Sequence, residues 1–224
     1  MKKPVWGLLL LLAACRPDPG PADYTGQELP DNLDPDGGTQ PSDLLPGPFP
    51  YEAGQRRLMV GIFYEAGRSE AIVFDDIDAK LYLYDQTAYV ESDPEHIEGK
   101  SADRIVYNGK AWLGLGVHWI KQTHNFDAWK TLHVSLKSSD AGFANVKIGM
   151  SHGVGAGNEK GFQLAVSKYG WANDGEWHHL AIPVADYVAA GLKLNDVSSP
   201  FTFAAEGGTT GQSLLLDNLY FTAN

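Results

Sequence analysis

Ala111-Trp112-Leu113-Gly114-Leu115-Gly116-Val117-His118-Trp119 is the stretch that decides the fold. Successive side chains of a strand point to opposite faces. Alternation therefore puts Leu113, Leu115, Val117 and Trp119 on one face, and Trp112, Gly114, Gly116 and His118 on the other. The first set is a core face. The second holds two glycines between an indole and an imidazole. Glycine weakens a strand and marks places where something approaches the backbone closely. Either a flat ligand lies over Gly114 and Gly116 against Trp112, or a second sheet or a loop packs there.

Outward from this stretch the chain repeats the same grammar. Short β-rich runs are split by Gly, Asn and Asp turns: Leu58–Phe63, Ala71–Phe74, Lys80–Tyr84, Ala88–Val90, Arg104–Tyr107, Thr131–Leu136, Val146–Met150, Phe162–Val166, Trp177–Val184, Phe201–Ala204 and Ser213–Thr222. Only Ala185–Ala190 reads as helix. Strands at this spacing, without tandem repeats, predict a single all-β sandwich or barrel over residues 51–224. Leu132, Val134 and Leu136 face its core, as do Val146, Ile148 and Met150, and Leu180, Ile182 and Val184. If these strands are neighbours in one sheet, its open face carries Trp112, His118, His133, Lys147, Ser151, Trp177 and His179. A face turned to plain water would carry Lys, Glu and Thr instead. His118, His133 and His179 sharing that face could also form a His₃ metal site. Tyr169-Gly170-Trp171-Ala172-Asn173-Asp174-Gly175 reads as an exposed turn offering Tyr169, Trp171 and Asn173, unless Trp171 folds back over the sandwich edge.

The composition narrows the partners. The net charge is −11, and loss of Lys2 and Lys3 with a leader takes it to −13. Nucleic acid demands a basic footprint and is excluded as a partner. Cys15 is the only cysteine, so a body of about 170 residues must be stabilised by its core rather than by disulfides. From Arg16 to Pro50 come nine of the 13 prolines, seven acids and one base, without apolar periodicity. This predicts a disordered, semi-extended tether.

Before it, Lys2-Lys3, the apolar run Val5–Leu12 and Leu12-Ala13-Ala14-Cys15 have the three-part layout of a secretory signal. The ending resembles the lipobox of bacterial lipoproteins. The resemblance implies cleavage after residue 14, lipidation of Cys15 and anchoring in the cell envelope by acyl chains. With Arg16 after the cysteine, it favours the outer membrane over the inner. The expected organisation is thus a signal peptide over 1–14, a lipidated cysteine and linker over 15–50, and the β domain over 51–224.

Three segments carry a second resemblance: Trp112–Val117; Asp174-Gly175-Glu176-Trp177-His178-His179-Leu180-Ala181-Ile182-Pro183-Val184 with Ala185-Asp186-Tyr187; and Leu214-Leu215-Leu216-Asp217-Asn218-Leu219-Tyr220-Phe221. In order, they resemble the β-jelly-roll, galactose-binding-like carbohydrate-binding modules. That likeness implies a two-sheet antiparallel sandwich. It also implies non-catalytic binding of a polysaccharide or glycan by a monomer, with Trp112, Tyr169 and Trp171 stacking on sugars, His118, His133, Lys147, Asn173 and His179 fixing hydroxyls, and Trp177 lining the same face. A structural Ca²⁺ held by Asp217, with oxygens from Asp75, Asp76 and Asp78, follows from the same likeness. The alternative for Asp217 is hydrogen bonding to backbone amides. A structural or protein-binding envelope lipoprotein is the competing function. A polysaccharide-active enzyme is a third, although no Glu-x-Asp-x-x-Glu run exists and Gln122-Thr123-His124 only faintly resembles the Gln-x-His element of alginate lyases.

Overall fold

The structure, a computed structural model, describes residues 57–59, 79–97, 101–119, 123–155 and 157–222. Cys15, Asp75, Asp76, Asp78, Gln122 and the expected strand Ala71–Phe74 lie outside the described residues. The strands are β1 (Arg57–Met59), β2 (Ala79–Leu83), β3 (Ala88–Asp93), β4 (Ala102–Tyr107), β5 (Trp112–Trp119), β6 (Thr131–Lys137), β7 (Lys147–His152), β8 (Lys160–Ala165), β9 (His178–Pro183), β10 (Val197–Glu206) and β11 (Ser213–Thr222). Among the described residues one short α-helix, α1 (Val184–Ala189), follows β9. Among the described residues no helix is long and apolar enough to cross a membrane.

The strands form two antiparallel sheets. One has the order β3-β4-β11-β6-β9, with β1 paired to the far half of β11. The other has the order β2-β5-β10-β7-β8. We call them the first and second sheet. The inward alternate residues close the core between them: Leu113, Leu115, Val117, Ile148, Met150, Phe201 and Phe203 from the second sheet meet Ile105, Leu132, Val134, Leu136, Leu180, Ile182, Leu214 and Leu216 from the first, all fully or almost fully buried. The parity read from the sequence holds at every one of these positions that it named.

The expectation that failed is adjacency. β5 and β7 lie in the second sheet, whereas β6 and β9 pair with each other in the first. The open face imagined for one sheet is thus split between the two outer surfaces of the sandwich. His118 stands on one, His133 and His179 on the other, and the His₃ arrangement falls with it. Alternation reports which face a residue occupies on its own strand; it carries no information on which strands become neighbours.

Candidate functional site

The outer face of the second sheet is built from small residues across its middle. In one row Tyr82, Gly116, Thr202, Gly149 and Gln163 pair across all five strands. In the next, Gly114, Ala204, Lys147 and Ala165 pair in turn. Five strands at about 4.8 Å spacing give this floor a length of about 19 Å across the strands. Trp112 sits at one margin opposite Glu206, and it is 39% exposed. Tyr82 projects at the β2 edge, 46% exposed.

The two glycines of β5 serve the chain's own tyrosine. Tyr84 follows β2 in a tight turn, and Asp85 and Gln86 take left-handed conformations (φ 48° and 53°) to bring the chain round. Thr87 clips that turn to β5: its hydroxyl donates to the Tyr84 carbonyl (2.8 Å) and accepts the Gly114 N–H (3.0 Å). The Tyr84 ring then runs along β5. A Cβ at Gly114 would stand 2.8 Å from the Trp112 ring and 2.9 Å from Tyr84 Cδ2, and one at Gly116 would collide with the Tyr84 hydroxyl. Of the two possibilities for these glycines, a packed loop side chain is the one found. The loop's ring, beside Trp112, becomes the aromatic surface there.

A polar belt bounds the floor on its other side. The Tyr84 hydroxyl is 2.7 Å from Nε2 of His118. Nδ1 of His118 lies 3.2 Å from Glu159 Oε1, and the same oxygen accepts from the Ser151 (3.1 Å) and Ser198 (3.2 Å) hydroxyls. Tyr82 meets the His118 ring edge-on at 5.3 Å. Burial lowers the His118 pKa against the opposing pull of Glu159, and burial together with Glu159 raises that of Tyr84. A neutral imidazole beside an ionised carboxylate carries its proton on Nδ1, so Nε2 accepts and the Tyr84 hydroxyl donates.

The remaining expected site residues divide clearly. Lys147 joins Trp112 and His118 on this face, 3.4 Å from Glu206. His133 and His179 are on the opposite outer surface, where they contact each other at 3.2 Å and lie against Thr222 Oγ1 (3.0 Å) and Ser135 Oγ (3.0 Å). His133 also stacks on Tyr220. Trp177 precedes β9 with the parity of His179 and so belongs to that surface. Trp171 is not an exposed platform. It is 6% exposed, its indole N–H donates to the Phe143 carbonyl (3.0 Å), and it packs into the core. Tyr169 donates to Asp186 of α1 (2.5 Å), and Asn173 donates to the Asp140 carbonyl (3.0 Å). Both are spent on the architecture of the loop after β8.

Asp217 is fully buried, with Oδ2 accepting the Ile97 N–H (2.6 Å) and Oδ1 the Asn218 N–H (2.8 Å). This is the backbone alternative to a calcium ligand. Among the described residues no three His, Asp or Glu side chains gather so as to hold a metal ion. His124 is buried and meets Trp119 edge-on, and its backbone bridges to Val197.

Sequence reasoning missed Tyr82, Tyr84 and Glu159. Tyr82 was within reach, since Leu81 and Leu83 mark the inward face of β2 and leave Tyr82 outward. Tyr84 and Glu159 lie beyond strand ends, and only the fold brings them over β5.

Residues 69–223 match the sequence profile of the family described as carbohydrate binding domain 30. No curated protein is similar enough in sequence to be matched. Among solved structures, a family 30 carbohydrate-binding module is 17% identical, with a TM-score of 0.51 over 64% of this chain and 77% of that one. The family 30 module of a cellulosomal cellulase of Clostridium thermocellum is 18% identical, with a TM-score of 0.49 over 63% and 85%. A family 11 module from Clostridium thermocellum, in complex with a β-1,3-1,4-mixed-linked tetrasaccharide, is 14% identical, with a TM-score of 0.49 over 74% and 95%.

Proposed function

Because the chain belongs to the carbohydrate binding domain 30 family, we propose that the outer face of its second sheet binds a polysaccharide chain without chemistry, and that Cys15 anchors the domain to the cell envelope. The observation that carries the first half is the aromatic margin of Tyr82, Tyr84 and Trp112, with the Tyr84 ring lying over Gly114 and Gly116, beside a floor of Gly149, Thr202 and Ala204. Small residues make a trough, and aromatic rings offer apolar surface to the C–H faces of sugars.

The same face argues against hydrolysis. Glycoside hydrolases place two carboxylates about 5–9.5 Å apart. Among the described residues the carboxylates placed on this face are Glu206, at the end of β10, and Glu159, bonded to Ser198 near its start. Eight residues of strand at about 3.3 Å each separate those ends, roughly 26 Å.

Retention on insoluble cellulose and on a mixed-linked β-1,3-1,4-glucan, beside acidic polysaccharides, tests the reading. Trp112→Ala and Tyr82→Ala are each expected to weaken retention roughly tenfold, a loss of about 1.4 kcal/mol. No retention by the native protein on any polysaccharide defeats the glycan reading in favour of a protein partner. Retention unmoved by both substitutions defeats the choice of face.

The anchor reading rests on Leu12-Ala13-Ala14-Cys15 and on the Pro-rich acidic stretch behind it. Stable anchoring by acyl chains takes at least two membrane signals. Radiolabelled palmitate should enter the full chain, and Cys15→Ala should abolish labelling and release the protein from the outer-membrane fraction.

A further inference from the structure

On the reading of the second sheet as a glycan groove, we propose that His118 and Glu159 are positioning residues, which lock Tyr84 along β5 and turn its hydroxyl into a hydrogen-bond acceptor toward the ligand. The argument begins with what each atom can do. Ionised Glu159 is acceptor-only, so the 3.2 Å contact at Oε1 requires the proton of His118 on Nδ1. The neutral ring then has a bare Nε2, and the hydroxyl 2.7 Å away must donate to it. The single proton of the Tyr84 hydroxyl is thereby committed to the protein, and its lone pairs are what remain for a ligand.

Both ends of Tyr84 are held. Thr87 pins its backbone to β5, and His118 pins its hydroxyl. Glu159 in turn is drawn across the sheet from the start of β8 by Ser151 of β7 and Ser198 of β10, on the same oxygen that faces His118. An oriented acceptor selects a ligand that offers a hydroxyl donor at that point. A ring fixed before binding also avoids the ordering cost of a mobile platform.

The test uses the full chain and a soluble mixed-linked β-1,3-1,4-glucan, read by calorimetry. Nitrogen-15 NMR of native His118 should show Nδ1 protonated and Nε2 bare. The opposite tautomer overturns the inference without reference to any sugar. Tyr84→Phe and His118→Ala should each weaken binding roughly tenfold, the worth of one hydrogen bond. The double variant should be no weaker than either single one, because both remove the same oriented hydroxyl. Losses that multiply overturn the inference while leaving the groove in place. Glu159→Gln, which keeps a carbonyl acceptor for His118, should retain binding, and Glu159→Leu should not. Equal loss in both also overturns it. If the native protein binds no glucan, the groove reading falls and this inference falls with it, a result distinct from multiplied losses in a binding protein.

Discussion

At the scale of the residue, the same side-chain type does opposite jobs at the head of a strand and in a loop. Trp112 is exposed beside the Tyr84 ring, whereas Trp171 is buried and bonded to Phe143. Trp171→Ala should therefore cost about 3–5 kcal/mol of stability by emptying a core position. Its glucan retention, corrected for the folded fraction in urea melts, should be native. Trp112→Ala should show the reverse, with stability within about 0.5 kcal/mol and retention lost. Gly116 couples the two properties. Its missing Cβ is the space filled by the Tyr84 hydroxyl, so Gly116→Ala must expel the ring. Overpacking of this kind costs about 1–3 kcal/mol. Thermal melts should register that loss, and calorimetry should show binding weakened at least as far as in Tyr84→Ala.

At the scale of the element, strands were legible and their partners were not. The inward set Leu113, Leu115 and Val117 is visible because burial on one face imposes a period of two, and the fold confirms it. Lys80–Tyr84 was legible as a strand, but it ends at Leu83, and Tyr84 leaves it to cover β5. No periodicity announces a residue that turns out of a strand. The placing of β6 and β9 in a different sheet from β5 and β7 depends on long-range pairing, which local alternation does not encode. This is why Trp112, His118 and Lys147 were rightly grouped on one face while His133 and His179 were wrongly added to it. The closing strand shows a further limit. An acid amid Leu214–Phe221 draws the eye as a ligand, yet Asp217 joins β11 to the segment entering β4 through the Ile97 N–H and holds the amide of Asn218, whose φ is 54°. Asp217→Ala strands two buried amides, each worth about 1–3 kcal/mol. Urea unfolding should show a loss of about 2–4 kcal/mol, and Asp217→Asn, which keeps one oxygen, should lose about half as much.

At the scale of the whole molecule, the two outer surfaces divide the work. The second sheet carries the proposed glycan-binding face, and the first carries His133, buried, and His179, half-buried, whose burial opposes protonation. Burial lowers the pKa of His133 to about 3, helped by the neighbouring His179, and burial lowers that of His179 to about 4. Both are neutral in the fold, and their mutual contact requires that one ring donate and the other accept. In the unfolded chain each titrates near 6.5. Between that value and the folded ones the unfolded state binds more protons, so stability rises with pH there. The contribution is complete above about pH 6.5 and is lost as the pH falls toward 4. Each histidine adds a slope of up to about 1.4 kcal/mol per pH unit, and the pair up to about 2.7. Two pH units of that slope remove about 5 kcal/mol, the lower end of the stability of a domain this size. Urea-derived stabilities measured from pH 7 to pH 4.5 should therefore fall steeply, and His179→Gln should reduce the slope by about one proton whatever it does to the absolute value. An unchanged slope would mean that the histidines of the first sheet do not govern acid stability. Trp112→Ala, which alters only the opposite surface, should leave that slope untouched.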